Sequence, residues 1–186
     1  MRFSGGLPET PCGFGSTLQA TEDLRRELPG LLARLRTKVL LDAPCGDRNW
    51  IADMDLGSID YVGVDLSEAN LAIARERSPH AALGTLDIVH GRPPVADTVL
   101  CRDFLQHLPT AMAQRALGNL SRSGARWLLA TSHDNPVNED IETVGDFRPL
   151  NLMIEPFNLG EPVESVDDGP GRILGVWDLA YPRVSG

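Results

Sequence analysis

The sequence predicts an α/β fold built on a doubly wound sheet, mostly parallel and with a reversed terminal strand. Two observations predict it. Short apolar runs alternate with segments of helical spacing along most of the chain, the pattern of parallel strands joined by crossover helices. The last two apolar runs instead flank Asp167-Asp168-Gly169-Pro170-Gly171, a strong turn signal that marks an antiparallel pair closing the sheet edge.

The elements follow in order. Residues 1–16 are rich in glycine and proline and read as an irregular N-terminal arm. From Thr17 to Leu35, leucines 24, 28, 31, 32 and 35 recur at threes and fours, so a helix is expected there. Pro29 predicts a kink or a split into two short helices. Lys38–Asp42 is a short apolar run ending in an acid, bounded by Pro44-Cys45-Gly46, and reads as a buried parallel strand. A short helix is expected over 49–54 and a second strand over 59–65. Ser67 starts a helix with Glu68 in its first turn. Strands are expected at 81–88, 95–101 and 125–131, with a helix capped by Thr110 and running to Leu120. Residues 135–159, rich in Asn, Pro and acids, read as a functional loop with one short helix. Strands at 162–166 and 172–179 complete the sheet. Residues 17–186 therefore form a single domain.

The bulk numbers exclude several classes. The 186 residues suffice for one domain with its own core. No apolar run reaches membrane-spanning length, and the N-terminus carries no apolar stretch of secretory type. The three cysteines, Cys12, Cys45 and Cys101, form no CxxC pair, so neither zinc nor a disulfide framework is indicated. A cytoplasmic location is the simplest expectation. The net charge is −9 and lysine occurs once, at Lys38, which disfavours a nucleic-acid partner.

Ligands of open α/β sheets bind beyond the carboxyl ends of the strands, where strand order reverses. The first strand ends in Asp42-Ala43-Pro44-Cys45-Gly46-Asp47. A loop that cradles pyrophosphate offers several glycines and backbone donors. This loop offers one glycine and two carboxylates, which suits a ligand bearing an amino group and a sulfonium. Asp65, ending the second strand, stands where an acid accepts from ribose hydroxyls. Asp87, ending the third, can receive an exocyclic amino group. Each acid alone also reads as a cap on the next helix.

The segments Val39–Asp47, Val62–Ser67 and Leu100–Pro109 resemble the ordered motifs of class I S-adenosylmethionine-dependent methyltransferases. The resemblance covers roughly residues 38–132. It implies a Rossmann-like sheet, S-adenosylmethionine as cofactor, Asp42 and Gly46 framing the methionine portion, Asp65 on the ribose, and Asp87 with Ile88 facing the adenine. Ala43, Asp47, Trp50, Leu66 and Arg102 join the expected cofactor site, as do Ser16 and Thr17 from an arm expected to strap over it. One departure is clear: Arg48 stands where the common loop has its second glycine. Gly13–Thr17 and Phe147–Leu152 resemble a small bacterial and phage-borne branch of the family.

Methyl transfer needs alignment and, for some acceptors, a base. His107 is the catalytic candidate, with Asp103 as the alternative nearer the strand end; His107 reads equally as a structural residue at a helix start. His133, Asp134, Arg148 and Asn151 are the expected acceptor-binding residues, or part of a solvated loop. No His/Asp/Glu cluster has metal-ligand spacing, so no metal is expected. The expected function is methyl transfer to oxygen or nitrogen of a small molecule or glycan. The alternatives are cyclisation or cleavage of the cofactor, and a non-catalytic cofactor-binding module. The sequence carries no signal for the acceptor's identity or for an oligomeric state.

Overall fold

The structure, a computed structural model, describes residues 9–179. Residues 1–8 of the expected arm and 180–186 of the expected domain lie outside them. Seven strands form one sheet: β1 (Val39–Asp42), β2 (Asp60–Asp65), β3 (Ala82–Thr85), β4 (Thr98–Cys101), β5 (Trp127–His133), β6 (Glu164–Asp167) and β7 (Arg172–Asp178). Their spatial order is β3-β2-β1-β4-β5-β7-β6. The first five pair in parallel, with Leu41 set beside Val62 on one side and Val99 on the other. β7 runs antiparallel to both β5 and β6. The reversed strand is thus last in sequence but inserted next to the edge, with β6 outermost. Among the described residues, three α-helices accompany the sheet: α1 (Glu22–Arg34), α2 (Glu68–Arg77) and α3 (Thr110–Ser121). Among the described residues, no helix is long and apolar enough to cross a membrane.

The central strands β1, β4, β5 and β7 are buried on both faces, and their period of two divides them between two cores. Leu40, Leu100, Leu129, Leu174 and Val176 pack with the leucines of α1. Leu41, Val99, Cys101, Leu128, Ala130 and Trp177 face the other way, toward Ala113, Ala116 and Leu120 of α3 and toward Leu150 and Leu152.

Local differences from the expected elements have physical causes. Pro29 lies inside α1 without splitting it. A proline deletes one helix hydrogen bond, whereas Leu24, Leu28, Leu31 and Leu32 are all buried by the unbroken helix. Burial contributes about 1.5–3 kcal/mol per leucine. The 49–54 segment is a run of turns rather than a helix, and β3 stops at Thr85. Thr110 is the first residue of α3, not its cap; its amide donates to the Asp140 carboxylate at 2.7 Å. The 135–159 segment contains turns but no helix.

Gly175 shows how tightly one face is filled. It shares a face with Trp177, and a Cβ there would collide with the indole ring. Trp177 is buried and donates its Nε1–H to the Gly160 carbonyl at 2.9 Å. Gly175→Ala is expected to destabilise the fold by about 1–3 kcal/mol, the usual cost of overpacking. Urea unfolding checks this; an unchanged midpoint would mean that the indole moves aside freely.

Candidate active site

Strand order reverses between β1 and β4, and a cavity of about 250 Å³ opens at their carboxyl ends. Asp65 forms part of its wall. One carboxylate oxygen accepts the Gly46 amide at 2.9 Å and the other accepts the Ser67 amide at 2.8 Å. Both oxygens are therefore fixed in place and retain lone pairs for a ligand. Gly46 has φ 56°, and a Cβ on it would meet the Cys12 sulfur at 2.9 Å, so glycine is needed there for both conformation and space.

Asp42 is buried on the same wall and accepts the Tyr61 hydroxyl at 2.6 Å. Burial raises its pKa to about 7, against the opposing pull of the Tyr61 hydrogen bond and the Arg48 charge. Asp47 is buried in an ion pair with Arg77. Arg48 adopts φ 60°, a left-handed conformation that favours glycine. Its buried guanidinium stacks on Tyr61, 3.7 Å from the ring centre, and does not line the cavity.

The described part of the arm packs on this loop. Ser16 lines the cavity while its carbonyl accepts Asn49 Nδ2 at 2.9 Å, and Arg77 donates to the Glu9 carbonyl at 3.1 Å. Thr17 is committed to a local turn, its hydroxyl donating to the Phe14 carbonyl at 2.8 Å.

The exit of β4 supplies Arg102, Asp103 and His107, all on the cavity wall together with Trp50. The Arg102 guanidinium donates through Nε and Nη2 to one oxygen of buried Asp168, at 2.9 and 2.8 Å. Asp103 has φ 54° and accepts from Gln106 and from Arg172, the latter at 2.9 Å. His107 Nδ1 lies 3.0 Å from the Asp146 carbonyl. A carbonyl only accepts, so Nδ1 carries the proton and Nε2 keeps its lone pair.

A second cavity, about 800 Å³, lies between the start of α1, the end of β5 and the β6–β7 turn. Arg172 lines it, and through its ion pair with Asp103 forms a wall shared with the first cavity. His133 and Asp134 line it as well. His133 Nδ1 lies 3.2 Å from the Leu150 amide and 3.3 Å from the Leu150 carbonyl, which also takes the His133 amide at 2.8 Å, so the ring is pinned against the Leu150 backbone. Burial lowers the His133 pKa, which favours the neutral ring. Phe147, largely exposed, lies 5.8 Å from both imidazoles, ring centre to ring centre.

Several expected residues sit elsewhere. Ala43 is buried and its amide continues the β1–β4 pairing. Leu66 is exposed beyond Asp65, and Ile88 is in the core. Asp87 accepts the Val89 amide at 2.8 Å and contacts His90 Nδ1 at 2.8 Å, a hydrogen bond that leads in lowering its pKa. Arg148 is buried and donates to the Leu108 carbonyl at 2.6 Å; Asn151 donates to the Asn135 carbonyl at 2.9 Å. Both fasten the 135–151 loop and line neither cavity. Sequence reasoning missed Asp168 and Arg172. The only available signal was the two charges bracketing a glycine-rich turn.

The first cavity fits an amino-acid nucleoside better than a dinucleotide. Its wall holds four aspartates, at 42, 47, 65 and 103, against one arginine, which is already paired. Among the described residues, no group of three His, Cys, Asp or Glu is placed to hold a metal ion.

Comparisons with known proteins agree with this geometry. Residues 41–125 match a family described as a methyltransferase domain. A ubiquinone biosynthesis O-methyltransferase of Pseudomonas syringae is 27% identical over 129 residues, covering 65% of this chain and 56% of that protein. This chain thus spans about half the length of the curated relatives it matches. A magnesium protoporphyrin IX methyltransferase from Synechocystis, solved with bound S-adenosylmethionine, superposes with a TM-score of 0.59 at 16% identity, covering 86% of this chain and 83% of that one. A Pyrococcus horikoshii protein gives a TM-score of 0.62 at 16% identity, covering 86% and 89%.

Proposed function

We propose that this chain, which carries a class I S-adenosylmethionine-dependent methyltransferase domain, transfers the cofactor's methyl group to an oxygen or nitrogen of a small molecule or glycan. The observation that carries the reading is Asp65. Its carboxylate is fixed by two backbone amides at the end of β2, beside a glycine turn and within an acid-lined cavity. That is an acceptor pair for two vicinal ribose hydroxyls. The sulfonium of the bound cofactor supplies an already activated methyl group. The protein's own part is then alignment and proton removal.

The first cavity holds the donor, with Asp42, Gly46 and Ser16 around the methionine portion. The second holds the acceptor, across the wall formed by Asp103 and Arg172. His107 Nε2, bare and facing the donor cavity, takes the acceptor's proton. Asp103 is less available to a ligand because both Gln106 and Arg172 already donate to its carboxylate.

Calorimetry tests the reading. S-adenosylmethionine and S-adenosylhomocysteine are expected to bind in the micromolar range, on the order of −8 kcal/mol. Asp65→Ala is expected to weaken both by about 2 kcal/mol, since it removes charge-assisted hydrogen bonds. No binding to the wild type, or tighter binding of NAD, would overturn the assignment.

A further inference from the structure

We propose that a third cavity, a groove beside Arg48 and Ser78, binds a phosphate group, either as the free ion or as a monoester of a small metabolite. The groove, about 710 Å³, lies between the turns that follow β1, the first half of β2 and the end of α2. It shares no lining residue with the donor or acceptor cavity. Tyr61 lines it while donating its hydroxyl to Asp42, on the donor-cavity wall. The proposal is independent of the methyl-transfer reading.

Five buried side-chain polar atoms have no hydrogen-bond partner among the described residues. Three of them belong to residues of this groove: Nε and Nη1 of Arg48 and Oγ of Ser78. Buried polar groups are normally satisfied, so their gathering in one groove marks a place where a ligand supplies the missing partner. Arg48 is only 5% exposed and makes no ion pair among the described residues. Taking such a charge out of water is costly unless a counter-charge replaces the lost hydration. The Tyr61 ring, 3.7 Å away, offsets part of that cost. Asp42 lies within the field of Arg48, but it is engaged by the Tyr61 hydroxyl. An anion is what this cation lacks.

The other groups on the groove narrow the choice. A guanidinium only donates, and a serine hydroxyl donates as well as accepts. His80, exposed on the groove, offers a ring N–H. Arg77 is committed to Asp47 and to the Glu9 carbonyl. Asp60 is the acid on the groove, but it is exposed, so water and salt screen it while the charge of Arg48 stays unscreened. A phosphate carries oxygens on every side and serves guanidinium, hydroxyl and imidazole together, whereas a planar carboxylate presents two. Ile59, Val62 and Pro79 line the remainder and leave room for the organic part of a monoester.

The test is an NMR titration of the full chain at constant ionic strength with glycerol 3-phosphate, inorganic phosphate and glycerol. The Arg48 Nε–H signal and the Ser78 and His80 amides are followed. Both phosphates are expected to shift these signals saturably at millimolar concentration, and glycerol is expected to leave them unmoved. Tighter binding of the ester would assign the groove to a phosphorylated metabolite, and equal binding to the free ion. Arg48→Gly is expected to weaken binding at least about tenfold, in a loop whose φ of 60° suits glycine. Ser78→Ala deletes a hydroxyl without a partner, so folding is unharmed, and it is expected to weaken binding about threefold. The proposal is overturned by the absence of saturable shifts with either phosphate, by equal shifts with glycerol, or by undiminished affinity in either variant.

Discussion

His107→Ala is expected to lower turnover about 10²–10⁴-fold, the usual contribution of a positioned base, while changing S-adenosylhomocysteine affinity by less than about threefold. The argument begins with the tautomer. Asp146 offers its carbonyl to Nδ1, which fixes the proton there and leaves Nε2 bare on the wall of the donor cavity. A methyl group moves in line, so the acceptor atom must approach from the side opposite the sulfur, and its proton must leave as the new bond forms. His107→Asn separates chemistry from position, because an amide can replace the Nδ1–H donor but not the base. If Asn restores most of the activity, the ring only positions its neighbours. Full activity in the Ala variant would remove His107 from the mechanism altogether.

Much of this arrangement is legible in the sequence because it depends on local pattern. The apolar runs ending in Asp42 and Asp65 identify β1 and β2 and place their acids at the carboxyl edge. The charged turn at 167–171 identifies the antiparallel pair β6–β7. What local pattern misses is the pairing between distant charges. Arg102 reads as a ligand residue, yet its guanidinium is held by Asp168, 66 positions away. Arg148 and Asn151 have the chemistry of an acceptor site, but the backbone carbonyls of Leu108 and Asn135 take up their donors. Arg48 looks like an obstruction where a glycine is usual. Its stacking on Tyr61 resolves that, and Tyr61 is thirteen residues further along, on β2. His107 and His133 are the same residue type at neighbouring strand ends, yet one lines the first cavity and the other the second.

Asp42 yields the other large effect. Its folded pKa is about 7, raised chiefly by burial, against about 3.9 for an unfolded aspartate. The sign follows from proton uptake. Between pH 4 and pH 7 the folded state holds a proton on Asp42 that the unfolded state has lost. Stability from this group is therefore fully present below about pH 4, declines as pH rises toward 7, and is constant above it. Over roughly three pH units the loss is on the order of 4 kcal/mol. Glu68, Asp87 and Asp140 act in the opposite sense, because hydrogen bonds lower their pKa values. Comparing wild type with Asp42→Asn cancels those contributions. The variant's stability relative to wild type is expected to rise by that amount between pH 4 and pH 8, measured by urea unfolding. Ligand binding should show the complementary trend. The ammonium of the cofactor requires the charged carboxylate, so wild-type affinity for S-adenosylhomocysteine should increase up to about tenfold per pH unit below 7 and level off above. Asp42→Asn should bind weakly and without that slope. A wild-type affinity that is flat from pH 5.5 to 8 would mean that the Asp42 carboxylate does not face the cofactor's ammonium.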